Sequence, residues 1–298
     1  FIIIVHMCTN LERKFFMIKI ISDSTCDLSA ELLSKYGISI LPLHILLGEK
    51  EYKDGLDITP NDIYAWSDEH KTTPKTSAPA LTDAISLFKP FIENGDEIIA
   101  FSISSDMSTS CNVMKLAAEQ LDAQNKVFVI DSANLSTGIG LLVIKAAIMA
   151  KDGKTASEIV ESIEALKDYV RASFVVDTLT YLHRGGRCSS VAALAGSVLK
   201  LHPKIVVEHG KMDATKKYRG KIESVILQYA KDLEEALKNS QPERVFITHS
   251  GCDEKIIEAV KDYLKSLNIF EEILVTHAGG VISSHCGPGT LGVLFISK

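Results

Sequence analysis

The stretch EIIAFSISSDMSTSCNVMKLAAEQLDAQNKVFVID (residues 97–131) contains two apolar segments separated by a helical pattern. EIIAFSIS (97–104) and KVFVID (126–131) are short runs rich in β-branched and aromatic residues, which are typical of buried strands. Between them, SCNVMKLAAEQLDA (110–123) has the apolar spacing of an amphipathic helix. A strand, a helix and a second strand in this order predict a βαβ unit with parallel strands.

The alternation of strands and helices continues on both sides of this unit. IKIISD (18–23) is predicted to be a strand, and GLLVIKAAIMAKDG (140–153) is predicted to be an apolar helix. Up to about residue 165, the order predicts a mainly parallel sheet with helices on both faces. Sheets of this kind bind ligands beyond the carboxyl ends of their strands, and hydroxyl-rich loops follow those ends here.

Two segments of the first half are less regular. KTSAP (75–79) is expected to be a loop, because Thr-Ser before proline is common in turns. LTDAISLFKPFIENG (81–95) has the pattern of a helix. Pro90 is expected to break this helix, because proline has no backbone N–H to donate.

The second half of the chain has a different order of elements. RASFVVDTLTYL (171–182) is predicted to be a strand and VAALAGSVLK (191–200) a helix. KIVVEHGKMDATKKYRG (204–220) is predicted to be a β-hairpin with its tip near Gly210. Strands and hairpins in this order are typical of an α+β domain.

The chain of 298 residues is long enough for two domains. We place an N-terminal α/β domain at residues 17–165 and a C-terminal α+β domain at residues 166–298. Residues 1–16, FIIIVHMCTNLERKFF, are interpreted as an extension outside this fold. They have neither a basic n-region nor a small-residue cleavage site, so a signal peptide is not expected.

Composition and charge argue against several classes of function. The net charge is −6 and the most basic cluster, KKYRGK (216–221), is short, so no nucleic-acid partner is expected. No apolar run approaches the roughly 20 residues of a membrane helix, so no transmembrane segment is expected. The six cysteines occur singly, without the spacing of a zinc site. This usage predicts no metal and a reducing, cytoplasmic location.

Several hydroxyl groups stand in the loop SSDMSTS (104–110), just before a predicted helix. Capping of the helix N-terminus explains one hydroxyl, but the number present exceeds that need. A helix N-terminus surrounded by O–H donors is also suited to an anion. From the residues alone, anion binding and plain capping both remain open.

The stretch LHRGGRCSS (182–190) places two arginines on either side of a Gly-Gly pair. Glycine frees the backbone and arginine offers a rigid fork of donors, so the stretch can cradle a phosphate or a carboxylate. The alternative is a tight turn with solvated arginines. The spacing differs from that of a P-loop, so ATP binding by that route is not expected.

Near the C-terminus, SSHCGPGTLG (283–292) places His285 between hydroxyls and a Gly-Pro-Gly run. No GxSxG motif is present to support a Ser/His hydrolase. His285 and Cys286 are adjacent in the chain, so they are poorly placed to bind the same metal ion. A ligand-binding histidine and a structural turn histidine remain, and the residues alone slightly favour the turn. We predict neither a catalytic residue nor a metal ligand.

A set of motifs, taken in order, resembles the DegV family of bacterial fatty-acid-binding proteins from Lys19 to the C-terminus. The motifs are SDSTCDLS, PLHILLGEKEYKDG, TSAPA, SSDMSTSCN, VIDSANLSTGIGLLV, YLHRGGRCS and HCGPGTLGV. The resemblance implies an α/β fold of two domains, with a long-chain fatty acid such as palmitate or oleate buried between them. It implies no cofactor beyond this ligand.

The resemblance also implies a role without catalysis of its own. Several family members are the lipid-binding subunit of a two-component fatty acid kinase. Their partner, a kinase related to dihydroxyacetone kinases, phosphorylates the bound carboxylate, and the acyl phosphate enters phospholipid synthesis. Transient contact with a membrane is compatible with this role. The alternatives are a stand-alone lipid carrier or sensor and, with less support, a hydrolase that uses Ser108 and His285.

The resemblance transfers five ligand-binding residues to this chain. The family's TSxPS motif falls on Thr76 and Ser77, and the serine of its LSGT motif falls on Ser108. The arginine of its GGR motif falls on Arg187, and the histidine of its HxGPG motif on His285. The resemblance implies that the hydroxyls and His285 form one network around the carboxylate, to which Arg187 adds positive potential.

At several positions this chain departs from the family motifs. Ala80 replaces the last serine of TSxPS, and LSGT is replaced by MSTS, with Thr109 and Ser110 at its last two positions. Cys111 stands where an aromatic residue is common. Thr109 removes backbone freedom next to Ser108, which is expected to narrow the head-group end of the site.

Overall fold

The computed structural model of the protein describes residues 17–192 and 201–298. Residues 1–16, interpreted above as an extension, lie outside the described residues. So does most of the helix expected at 191–200. The first half contains the strands β1 (Ile18–Asp23), β2 (Ser39–Leu41), β3 (His44–Leu47), β4 (Lys50–Lys53), β5 (Lys75–Ser77), β6 (Glu97–Ser102) and β7 (Val127–Asp131). Its helices are α1 (Ala30–Tyr36), α2 (Pro60–His70), α3 (Leu81–Asn94), α4 (Ser110–Gln120), α5 (Thr137–Lys151) and α6 (Ala156–Leu166).

The first sheet contains four parallel strands in the order β2–β1–β6–β7. Successive side chains of β6 point to opposite faces, as the strand geometry requires. Ile98 and Ala100 pack with α3 and α4, whereas Ile99 and Phe101 pack on the side of α5. The prediction of a parallel sheet with helices on both faces is therefore confirmed.

The second half contains a mixed sheet. Its strands are β8 (Val170–Val175), β9 (Leu201–Glu208), β10 (Lys211–Arg219), β11 (Ser240–Ser250), β12 (Glu272–His277) and β13 (Thr290–Ser297), in the order β10–β9–β8–β13–β11–β12. Its helices are α7 (Thr180–Gly185), α8 (Ser189–Ala192), α9 (Ile222–Asp232), α10 (Glu234–Lys238), α11 (Glu254–Ser266) and α12 (Gly280–Cys286). Strands β11 and β12 are parallel and the other neighbouring pairs are antiparallel, which confirms the predicted α+β character.

Helix α5 connects the two sheets through its packing. It contacts β1 and β6 of the first sheet and β8 and β13 of the second. One apolar cluster accordingly contains Ile99 from the first sheet, Leu142 from the helix and Leu294 from the second sheet. Because α5 is covered on both sides, it is apolar all round instead of amphipathic. The division between residues 165 and 166 stays a prediction, and α6 runs up to Leu166.

The hairpin predicted in the second half is confirmed by β9 and β10. His209 and Gly210 form its two-residue tip, and both have positive φ, 48° and 80°, as a type I′ turn requires. Ser104 Oγ donates a hydrogen bond to the Gly210 carbonyl at 2.7 Å. This bond ties the hairpin to the loop after β6 and places β10 near the carboxyl end of the first sheet.

Three expectations about local structure are wrong. KTSAP is not only a loop, because Lys75–Ser77 forms β5 and pairs with β3 in a small antiparallel sheet of order β4–β3–β5. Helix α3 continues through Pro90, which is exposed, so water can reach the carbonyl that loses its partner there. The strand expected to extend to residue 182 ends at Val175, and Thr180–Gly185 is helical because Tyr181 and Leu182 are buried against α12.

Candidate functional site

A cavity of about 430 Å³ lies at the carboxyl ends of β6 and β7 and is closed on one side by α12. This volume is within the range of about 300–1,000 Å³ that is usual for small-molecule sites. Its wall is mainly apolar and is formed by Leu43, Ile103, Met107, Leu135, Met212, Val281, Ile282 and Cys286. One part of the lining is polar, and this part determines what chemistry the cavity can support.

All five residues that the sequence predicted for the site line the cavity, together with the polar residues Ser105, Asp106 and Thr109. Thr76 and Ser77 come from β5, Ser108 from the loop before α4, Arg187 from the segment after α7, and His285 from α12. The structure thus brings together residues that are up to 209 positions apart in the chain. Their role in binding stays a prediction.

His285 occupies the last turn of α12, so the interpretation as a turn histidine is wrong. Its Nε2 atom is 2.7 Å from Thr76 Oγ1. Its Nδ1 atom is buried and has no hydrogen-bond partner in the described part of the chain. Burial, with a smaller contribution from the charge of Arg187, lowers the pKa of His285 to about 4. The imidazole is therefore neutral near pH 7 and offers one N–H and one lone pair.

Two buried aspartate side chains hold the other end of α12. Gly279 donates its N–H to Asp27 at 2.8 Å, and Gly280 donates its N–H to Asp54 at 2.7 Å. Carboxyl oxygens at these N–H groups satisfy donors that a helix N-terminus leaves unpaired. Burial raises the pKa of Asp27 to about 8 and also raises the pKa of Asp54. The two aspartates thus fix the position of the helix that carries His285.

The hydroxyls next to His285 have structural roles. Ser283 donates to the Ala278 carbonyl at 3.2 Å, and Ser284 donates to the Gly280 carbonyl at 2.7 Å. Gly287 ends the helix with φ of 74°, where a side chain would strain the backbone and would also overlap Tyr181. Of this stretch, His285 and Cys286 line the cavity, and His285 is hydrogen-bonded there to Thr76.

The hydroxyls of the loop SSDMSTS make several local contacts. Ser104 binds the hairpin tip, and Ser105 donates to the carboxylate of Asp131. Ser108 lines the cavity, while its Oγ lies 2.9 Å from Ser110 Oγ and accepts the Ser110 N–H at 3.3 Å. Ser108 thus satisfies an N–H of the first turn of α4, and anion binding at this loop stays a prediction.

Of the two arginines around the Gly-Gly pair, Arg187 lines the cavity. Its Nη1 donates to the Gly185 carbonyl at 2.7 Å, and the residue is exposed. Arg184 points elsewhere and reaches the carbonyl of Lys71 at 3.4 Å. An exposed guanidinium at the rim supplies positive potential without a buried, unpaired charge.

The polar groups do not form a hydrolytic triad. Ser108 is hydrogen-bonded to Ser110, whereas His285 is hydrogen-bonded to Thr76. Within residues 17–192 and 201–298, the Nδ1 atom of His285 has no carboxylate to orient it. A nucleophile, a base and an orienting acid in hydrogen-bond contact are what such an enzyme requires. The hydrolase alternative therefore has no support from the geometry.

Sequence reasoning missed the apolar wall and the aspartates below α12. Met212 reaches the cavity from β10 only because the hairpin tip is tied to Ser104, and no local pattern indicates that contact. Asp27 and Asp54 lie in two of the motifs quoted above, but their spacing gives no sign that both bind the N-terminus of the same helix, α12.

The described residues contain no cluster of three metal-ligating side chains. None of the described helices is long and apolar enough to cross a membrane.

Fold and cavity together define an α/β protein with an apolar cavity that ends in hydrogen-bond donors. The chain belongs to the DegV family, since the model of that family, described as an uncharacterised protein family, matches residues 17–298. A DegV domain-containing protein of Clostridium acetobutylicum is 31% identical over 286 residues, which cover 94% of this chain and 99% of the relative.

Solved structures of relatives have the same fold. A DegV family protein from Thermus thermophilus, described for its fatty acid binding, has a TM-score of 0.87 at 29% identity and covers 95% of this chain and 100% of its own. A stearic acid-binding protein from Eubacterium ventriosum has a TM-score of 0.83 at 30% identity and covers 95% and 99%. Members of the family therefore bind fatty acids.

Proposed function

We propose that this protein binds one long-chain fatty acid in the cavity below α12. The carboxylate lies at Thr76, Ser77, Ser108 and Arg187, and the alkyl chain lies along the apolar wall. The observation that carries the proposal is the cavity itself, because all five predicted polar residues line it and most of the remaining wall is apolar. The fatty acid and stearic acid ligands of the Thermus thermophilus and Eubacterium ventriosum relatives support the same class of ligand.

At the polar end, hydrogen bonds offset the cost of removing a carboxylate from water. A buried carboxylate needs several donors, and bonds to a charged acceptor are stronger than neutral ones. The neutral His285 donates its Nε2 proton to Thr76 Oγ1, which leaves the Thr76 proton for the carboxylate. Ser108 and Ser77 supply further hydroxyl donors. In this arrangement His285 orients Thr76 and does not itself exchange a proton with the ligand.

Along the apolar wall, burial of the alkyl chain supplies most of the affinity. Each buried methylene contributes about 0.8 kcal/mol. Met107 and Met212 face the cavity from opposite segments, and their unbranched side chains adapt to irregular shapes. The proposal therefore covers saturated and unsaturated acids such as palmitate, oleate and stearate.

The finer part of the proposal is that the protein presents the carboxylate to a partner kinase. Ser77 and Arg187 are both exposed and line the polar end, which supports access to the head group from solvent. The partner is a kinase of the dihydroxyacetone kinase type, and the product is an acyl phosphate. The alternative is a lipid carrier or sensor in the cytoplasm. Incubation of the loaded protein with such a kinase and ATP, followed by detection of acyl phosphate, distinguishes the two.

Lipid extraction from the purified protein tests the binding proposal. We expect mass spectrometry to identify a long-chain fatty acid in stoichiometric amount, and the delipidated protein to gain thermal stability with palmitate or oleate. Absence of any bound lipid, together with no thermal shift on adding either acid, would contradict the proposal. The same shift with the methyl esters would show that the carboxylate contributes nothing.

A further inference from the structure

The neighbouring glycines Gly185 and Gly186 are required for different reasons. Gly186 follows α7 in the left-handed region, with φ of 67°, and a Cβ there would meet nothing within 4 Å. Its glycine is explained by the backbone conformation. Gly185 lies inside the last turn of α7, and its φ is outside the left-handed region. Any residue could adopt the backbone of Gly185, so a spatial reason is needed.

The space beside Gly185 is occupied by the ring of His285. A Cβ at position 185 would overlap the Nδ1 atom of His285 and would lie 3.2 Å from Cε1 and 3.3 Å from Cγ. Contacts this short force one of the two groups to move. The ring of His285 therefore packs directly against the backbone of α7, with its Nδ1 atom facing the glycine.

His285 has no freedom to move away without losing its other contacts. Its Nε2 atom is bonded to Thr76 on the opposite side of the ring. The helix that carries it is held through Gly279 and Gly280 by Asp27 and Asp54. Displacement of the ring is therefore expected to break the hydrogen bond to Thr76, while the hydrogen bonds at the N-terminus of α12 remain.

Gly185 also contacts the charged group of the polar end, Arg187. Its carbonyl accepts a hydrogen bond from Arg187 Nη1 at 2.7 Å. One backbone unit thus touches the ring of His285 on one side and orients the guanidinium of Arg187 on the other. Both side chains line the cavity, although Arg187 follows α7 and His285 belongs to α12.

We infer that Gly185 is a positioning residue of the cavity, which sets the ring of His285 against Thr76 and the guanidinium of Arg187 at the rim. It acts through these side chains and needs no contact with the ligand. An effect of Gly185 on fatty acid affinity rests on the proposed function. Its effect on the position of the His285 ring does not depend on that function.

The test compares Gly185→Ala with Gly153→Ala. Gly153 lies in the loop after α5 with φ of 81°, and a Cβ there meets nothing within 4 Å, so this control strains the local backbone without contact with the cavity. We expect the affinity of Gly185→Ala for stearate to fall about tenfold, which corresponds to the loss of one hydrogen bond to a charged group. Gly153→Ala is expected to bind stearate as the unchanged protein does. In a His285→Ala background, Gly185→Ala is expected to cause little further loss, because the ring through which it acts is absent.

Nuclear magnetic resonance of the His285 imidazole gives a readout that does not depend on the ligand. We expect its ¹⁵N and Cε1–H resonances to shift in Gly185→Ala and to stay in place in Gly153→Ala. Unchanged resonances together with unchanged stearate affinity in Gly185→Ala would overturn the inference, as would fully additive losses in the double variant. If the unchanged protein fails to bind stearate while the resonances still shift, the proposed function fails and the positioning role stands.

Discussion

Thr76 and His285 form the contact on which the polar end of the cavity depends. The hydrogen bond of 2.7 Å between them joins β5 to α12. In the proposed arrangement His285 is the donor, so the threonine proton is available to a ligand. Burial keeps His285 neutral, because it lowers its pKa to about 4. A neutral imidazole serves better here than a charged one, which would need a permanent counter-charge when the cavity is empty.

Replacement of Thr76 by valine tests this contact. Thr76→Val keeps the shape of the side chain and removes the hydroxyl, so the affinity for stearate is expected to fall about tenfold. The free energy of unfolding is expected to fall by about 1–3 kcal/mol, because the buried Nε2 atom of His285 loses its hydrogen-bond partner. Titration calorimetry with stearate measures the effect. Thr82→Val, at an exposed position of α3, is the matched control, and equal affinity of both variants would contradict the role of Thr76.

Asp27 gives a prediction about pH. Burial raises its pKa from 3.8 to about 8 in the folded protein. Between about pH 4 and pH 8, Asp27 therefore keeps its proton in the folded protein and loses it in the unfolded chain. The contribution of Asp27 to the free energy of unfolding is fully present below about pH 4 and is lost as the pH rises to about 8. The wild-type protein is thus expected to lose stability relative to Asp27→Asn over this range, by up to about 1.4 kcal/mol per pH unit.

Urea unfolding of wild type and Asp27→Asn between pH 5 and pH 9 measures this difference. Asp23 and Asp54, whose pKa values are also raised by burial, are present in both proteins and largely cancel in the comparison. Parallel stability curves across the whole range would show that Asp27 is ionised in the folded state. In that case the Gly279 N–H at the start of α12 would be bound by an ionised Asp27 and not by a protonated one.

At the level of single residues, the sequence predicted what the motifs contain and missed what the fold alone creates. Thr76, Ser77, Ser108, Arg187 and His285 were predicted, and the structure brings them to one cavity. Gly185 was attributed to backbone freedom, but its neighbour in space, His285, is 100 positions further along the chain. Such a contact has no local signal, because it depends on how α7 and α12 pack.

At the level of secondary structure elements, α12 shows why short helices escape prediction. Its seven residues give too few positions for a periodic pattern, and Gly279, Gly280 and Gly287 suggest a loop. The helix forms because Asp27 and Asp54 satisfy its first N–H groups and because its residues are buried. Strand β5, with three residues, was missed for the same reason, since pairing with β3 defines it.

Removal of one aspartate below α12 tests how the helix is held. Asp54 accepts the Gly280 N–H at 2.7 Å and the Ser24 hydroxyl at 2.8 Å, and the carboxylate is buried. Asp54→Ala leaves both donors without a partner, so the free energy of unfolding is expected to fall by about 2 kcal/mol. Stearate affinity is expected to fall as well, because His285 loses its fixed support.

Glu158→Ala is the matched control for this prediction. Glu158 also accepts hydrogen bonds at a helix N-terminus, from the backbone N–H and the hydroxyl of Thr155, but it is exposed on α6. Water can replace it, so a smaller loss of stability and unchanged stearate affinity are expected. Urea unfolding and calorimetry measure both quantities. Equal effects of the two substitutions would contradict a special role for Asp54.

At the level of the whole molecule, the order of elements predicted the two sheets, whereas packing created the cavity. The βαβ pattern around residues 97–131 was sufficient for the parallel sheet, because a crossover helix between two buried strands leaves few other arrangements. The position of α5 between the sheets and the bond from Ser104 to the hairpin tip could not be predicted, since both are contacts between distant segments. Those contacts bring β10 and α12 to the carboxyl end of the first sheet.

A crystal structure of the protein with stearate tests the central claim most directly. The account predicts electron density for the acid in the cavity below α12, with its carboxylate within hydrogen-bond distance of Thr76 Oγ1 and Ser108 Oγ. The alkyl chain is expected to lie between Met107 and Met212. Stearate bound elsewhere on the protein, or bound with its carboxylate at the apolar wall near Leu43, would contradict the account.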